Sequence, residues 1–249
     1  MVEKLDLRKS LSYLYAPSAK KMEVVNVPNF NFIKVDGQIL PGELIEVSSS
    51  FQDAMTAIYG LAFTLKFMSK LRKQNPIDYS VMAVEGLWWL ESGKFKIDPT
   101  ESWYFTLMML QPDHITPEMY LQAVAQVKKK SDSPFLSQVR FEPFHEGLCI
   151  QTMHIGPYST EPATIEMMKA FADENGLRYR GLHHEGYLGD TRRAKPEKRR
   201  PILRQPVERD VDLHRAAARL VGPDVLDKVR RQVGRVEQAQ GRTRPAGLA

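Results

Sequence analysis

The sequence predicts an α+β domain built from two strand-helix-strand-strand modules. A pseudo-two-fold axis relates them, and together they form one antiparallel sheet with helices on one side. Three observations carry this. Runs with helical hydrophobic spacing alternate with short apolar runs rich in β-branched and aromatic residues. The order strand, helix, strand, strand occurs twice. Two Glu-Gly pairs, Glu85-Gly86 in VEGLWWL and Glu185-Gly186 in HHEGYLGD, fall at equivalent places in the two copies.

The first strand is read in Phe30 to Val35, closed by the turn pair Asp36-Gly37. Ser50 with Asp53 reads as a helix N-terminus, and Met55, Ile58, Leu61, Leu65, Met68 and Leu71 follow at helical spacing up to Asn75-Pro76. Tyr79–Leu90 and Ser102–Gln111 read as two strands joined by the turn-rich ESGKFKIDPTE. Thr116-Pro117-Glu118 opens a connecting helix that ends in three lysines, where cations suit the helix dipole.

In the second copy, Val139–Phe144 and Gly147–His154 read as strands. Thr160-Glu161-Pro162 opens a helix ending at Asn175-Gly176, and the HHEGYLGD and ILRQPV strands follow. Phe32–Asp36 then corresponds to Cys149–His154, EGLWW to EGYLG, and YFTLMML to ILRQPV.

Composition divides the chain into an N-terminal extension (1–22), a globular body (23–207) and a tail (208–249). Of the 249 residues, 43% are hydrophobic and 26% charged, the balance of an ordinary globular protein with a real core. The net charge of +5 suggests nucleic acid until it is located. Residues 209–249 hold eight arginines and one lysine against five acids, so the body is nearly neutral. The basic run TRRAKPEKRR lacks interleaved aromatics and reads as a solvated loop. The tail, without aromatics and with one short helical period at Val225–Val236, reads as disordered or appended. One cysteine, Cys149, excludes an intrachain disulfide and suits a reducing cytoplasm. The charged opening MVEKLDLRKS predicts no secretory leader, and no apolar run is long enough to span a bilayer.

Strand alternation places His183, Glu185 and Tyr187 on one face, with His184, Gly186 and Leu188 on the other. A carboxylate beside an imidazole and a phenol can activate water and donate to a developing oxyanion. The alternative is an exposed edge-strand charge paired with Arg192 or Arg193. Gly186 would admit close packing of a helix. All three tryptophans, Trp88, Trp89 and Trp103, fall with Tyr104 and Phe105 within 18 residues. They read either as core or as the wall of a cleft for flat ligands and cations. His183-His184-Glu185 lacks the spacing that presents two histidines on one helix face, and His145-Glu146 has no third ligand nearby, so no metal is expected. No glycine-rich phosphate loop is present.

The stretch HHEGYLGDTRRAKPEKRRPILRQPV, the turn HIGPYS followed by Glu161, and VEGLWW together resemble the GyrI-like small-molecule-binding family over about residues 20–207. That resemblance implies paired strand-helix-strand-strand (SHS2-type) modules with a cleft between the halves. Trp88, Trp89, Trp103 and Tyr104 would wall the cleft, with Glu85 beside them. Glu185 would be the cleft glutamate, and Tyr187 and His183 its proton-handling partners. Among stand-alone members, those this chain resembles are hydrolases of cyclopropane-bearing DNA-alkylating compounds. The expected activity is therefore cofactor-free ring opening that detoxifies such compounds, the alternative being a non-catalytic multidrug-binding, sequestering or sensor module. The implied partners are hydrophobic aromatic or cationic small molecules rather than membrane or nucleic acid, and a homodimer is compatible with the resemblance.

Overall fold

In the computed structural model the described residues are 2–93, 100–131, 133–189 and 195–210. The middle of the expected ESGKFKIDPTE turn (94–99), the first part of the basic run with Arg192 and Arg193, and nearly all of the tail lie outside them.

The elements run β1 (Glu3–Leu5), α1 (Leu7–Ser10), α2 (Ser12–Tyr15), β2 (Glu23–Ile39), α3 (Ser49–Leu71), β3 (Ile77–Tyr79), β4 (Val84–Leu90) and β5 (Trp103–Gln111). They continue with α4 (Pro117–Lys128), β6 (Arg140–Met153), α5 (Glu161–Glu174), β7 (Leu177–Tyr179), β8 (His183–Tyr187) and β9 (Pro201–Arg209). The order β6-β2-β5-β4-β8-β9 is antiparallel throughout, and β6 also pairs with β9. The sheet thus closes into a six-stranded ring, where the sequence suggested only a sheet. Closure rests on Cys149–Met153 pairing with Ile202–Pro206, a contact far apart along the chain.

A ring of six strands has no room for a helix inside, so both long helices lie outside. Ser48 caps α3 by accepting from the Phe51 amide, two residues before the expected cap. Its buried stripe is Ala54, Ala57, Ile58, Leu61, Ala62 and Leu65, and Phe51 at its start packs on Trp88 and Phe105. Met168 and Ala172 of α5 pack with Ile150, Leu203 and Val207 on the same outer face. Thr116 caps α4 as expected, accepting from the Met119 amide.

Two long strands correct the sequence reading. β2 runs straight through Asp36-Gly37. Gly37 pairs with Phe105, and a Cβ there would lie 2.2 Å from the Phe105 ring. The glycine makes room for an aromatic ring and does not make a turn. β6 is continuous where two strands were expected, because Gly147, at φ +75, stays in register with Val27.

The N-terminal residues are built into the body. β1 pairs with β3, and Leu14 and Tyr15 of α2 are buried. Among the described residues no helix is long and apolar enough to cross a membrane.

Candidate functional site

The β4–β8 register decides which side chains meet. Trp88 pairs with His183, Gly86 with Glu185 and Val84 with Tyr187, so these six share the outer face. Glu85, Leu87 and Trp89 face inward with His184 and Gly186. The two strands therefore serve two separate constellations with alternate residues.

On the outer face the Trp88 indole N–H donates to the Tyr187 phenol oxygen at 2.8 Å. Tyr187 is hydrogen-bonded in turn to Glu185, and His183 Nε2 lies 3.3 Å from Glu185 Oε1. Burial first, and then the Glu185 charge, holds the Tyr187 phenol well above its usual pKa. Its proton is thus held toward Glu185, which fits orientation of the carboxylate better than donation to a ligand. Gly86 leaves space for this chain of bonds, since a Cβ there would stand 2.6 Å from Trp88 Nε1. Trp103 packs edge-on to Trp88, with centroids 6.2 Å apart, and Phe51 and Phe105 complete the aromatic side.

Glu161, the first residue of α5, belongs to this constellation; the sequence reading used it as a helix-start acid and as part of the family resemblance, and gave it no place at the site. It is buried, and its Oε1 has no hydrogen-bond partner among the described residues. Its pKa is pushed up to about 10, by burial first and then by the charge of Glu185, with Arg199 opposing. It therefore keeps its proton at neutral pH. His154 is fixed beside it by the Thr164 and Thr160 hydroxyls at 2.8 and 3.1 Å, and burial lowers its pKa. His154 also lines an open groove with Lys20, Met22, Met167 and Phe171.

On the inner face, among the described residues, two acidic and two basic side chains meet in the core. His184 sits between two carboxylates, Nε2 3.0 Å from Glu85 Oε2 and Nδ1 2.8 Å from Glu146 Oε1. Arg204 Nη1 lies 3.2 Å from Glu146 and 3.7 Å from Glu85. The Tyr15 hydroxyl donates to Glu85 at 2.7 Å, and Arg204 donates to the Leu14 carbonyl and to Gln151. Burial opposes charge on His184, but Glu146 and Glu85 outweigh it and raise the pKa to about 9. Burial likewise opposes charge on Glu146, while His184 and Arg204 lower it to about 2. Two anions balance two cations, which is how a protein tolerates four buried charges.

Of the residues expected at the site, Trp88, Trp103, His183, Glu185 and Tyr187 come together. Trp89 and Tyr104 do not join them: they stack on each other at 5.9 Å on the opposite face. Glu85 also faces inward, into the charge cluster. Simple alternation separates them, since Trp88 and Trp89 are neighbours on one strand. Gly186 pairs with Glu85 on the inner face and meets Ile202, so no helix packs on it. The sequence reading missed Glu161, Arg204 and Glu146. A signal for Glu161 was its place directly after the HIGPYS turn.

Solved structures show the same architecture. An uncharacterized conserved protein from Listeria innocua is 37% identical over 82% of this chain and all of its own, with a TM-score of 0.74. A hydrolase from Listeria innocua is 36% identical over 82% of this chain and all of its own, with a TM-score of 0.70. A second chain from that organism, also described as a hydrolase, is 37% identical over 83% of this chain and 100% of its own, with a TM-score of 0.73. No curated protein matches the chain. The family model of the GyrI-like small molecule binding domain matches residues 69–200, more than half of the sequence. On that match and the 37% identity to a fully covered structure, the chain belongs to the GyrI-like small-molecule-binding family.

Proposed function

We propose that the outer-face site binds flat hydrophobic molecules and hydrolyses electrophilic, cyclopropane-bearing, DNA-alkylating compounds. The observation that carries this is the pair of carboxyl groups at the aromatic site. Glu161 holds a proton to about pH 10, while Glu185 is oriented by Tyr187 and His183. A protonated carboxyl beside a second, hydrogen-bonded carboxyl supplies the two groups that acid–base chemistry needs. Two of the Listeria innocua relatives are described as hydrolases, which supports the reading.

The chemistry balances without a cofactor. Glu185 accepts a proton from water as the water oxygen bonds to a cyclopropane carbon. The ring C–C bond breaks, and its electron pair moves through a conjugated dienone onto the carbonyl oxygen. Glu161 gives that oxygen its proton. Trp103, half-buried at the edge of the aromatic group, stacks on the planar ligand, and the buried Trp88 behind it keeps bulk water out. The two halves of the ring also fit a duplicated unit, with β2, α3, β4 and β5 answering to β6, α5, β8 and β9.

Turnover of a cyclopropane-bearing dienone in 18O-labelled water tests this. The expected product carries one 18O at the opened ring carbon and forms faster than in buffer. Tight binding with no acceleration would reduce the protein to a sequestering or sensor module.

A further inference from the structure

Arg199, in the approach to β9, lays its guanidinium over the Tyr158 ring with Cζ 4.7 Å from the centroid. Tyr158 stands three residues before Glu161 in the turn that leads into α5. Two backbone bonds hold the segments side by side: the Gly156 amide donates to the Arg199 carbonyl at 3.1 Å, and the His154 amide to the Pro201 carbonyl at 2.9 Å. The guanidinium is therefore a fixed, half-buried feature of the α5 side of the site. Its charge reaches Glu161.

We propose that Arg199 sets the charge preference of this site, turning it toward neutral planar ligands and against lipophilic cations. The inference rests on the outer-face site being the ligand site. Because Glu161 is uncharged at neutral pH, the carboxyl pair carries no more than one negative charge. Arg199 offsets that charge. An entering cation is attracted by a single carboxylate and repelled by the guanidinium, whereas a neutral ring system loses nothing to either and keeps its stacking on Trp103. Stacking on Tyr158 keeps the guanidinium in place, so the repulsion is built in before a ligand arrives.

The test uses two probes of one shape, neutral acridine and cationic N-methylacridinium, titrated calorimetrically at pH 7.5 against the full chain. Wild type should favour acridine. Arg199→Met should tighten N-methylacridinium about tenfold, the size of one unit charge acting near a protein surface, and leave acridine within about threefold. Arg199→Lys, which keeps the charge, should keep the wild-type preference. An Arg199→Met protein whose ratio of the two affinities matches wild type overturns the charge filter. If Trp103→Ala leaves both affinities unchanged, or neither probe binds wild type, the site reading itself falls and takes this inference with it.

Discussion

The Trp88 indole N–H and the Tyr187 phenol oxygen, 2.8 Å apart, tie the first half of the chain to the second at the centre of the candidate site. Tyr187→Phe keeps the ring and removes the acceptor, leaving a buried indole N–H unsatisfied and Glu185 without one of its partners. The expected cost is about 1–3 kcal/mol in urea unfolding, with a shift of tryptophan emission at unchanged secondary structure. Unfolding that matches wild type would show that this bond orders nothing.

Gly86 faces the same bond. A methyl group 2.6 Å from Trp88 Nε1 has to push the indole off Tyr187, because Trp88 is itself packed against Phe51, Phe105 and Trp103. Gly86→Ala should destabilise the protein by about 1–3 kcal/mol and weaken binding of planar ligands at least fivefold. Gly186→Ala is the control: its Cβ meets Ile202 only at ordinary distances of 3.5–3.9 Å, on the face away from the site. It should leave ligand affinity unchanged.

The inner-face cluster makes stability depend on pH. The folded pKa of His184, about 9, lies above its usual 6.5, so its contribution is fully present below about pH 6.5 and lost as pH rises through 9. The full contribution is of order 3 kcal/mol. Glu146 is the acidic side of the same ion pairs. Its pKa, about 2 against a usual 4.5, means that its contribution is present above pH 4.5 and lost as pH falls through 2. Urea midpoints should therefore decline from pH 6.5 to 9 in wild type. His184→Gln should be less stable at pH 6, by about 3–5 kcal/mol with both carboxylates left buried, and should show a flatter decline.

What could be read in the sequence follows from what local pattern encodes. The spacing of Ile58, Leu61 and Leu65 and the cap at Thr116 describe α3 and α4 without tertiary information. Asp36-Gly37 was misread because a glycine that clears a ring looks, locally, like a glycine that makes a turn. Closure of the ring was illegible, since it depends on Cys149 meeting Pro206. Alternation gave the His183, Glu185 and Tyr187 face, but only the register with β4 shows that Trp88 shares it and that Trp89 and Glu85 do not. Glu161 stayed hidden because an acid in a first helical turn is ordinarily explained by the helix dipole. What marks it out is burial with an unpartnered oxygen.

Protonated Glu161 has a direct signature. Difference infrared spectra between wild type and Glu161→Gln at pH 7.5 should show the C=O stretch of a neutral carboxylic acid, fading only as pH approaches about 10. Absence of that band at pH 7.5 would remove the proposed proton donor.

The central claim, that Glu185 activates water at this site, meets its most direct test in Glu185→Gln assayed with a cyclopropane-bearing dienone, affinity and turnover being read on the same preparation. The amide keeps shape and hydrogen-bonding reach but cannot take a proton. The expected result is affinity within about threefold of wild type with turnover lowered about 10²- to 10⁴-fold, the range of a positioned general base. Turnover at the wild-type rate in Glu185→Gln would contradict the account.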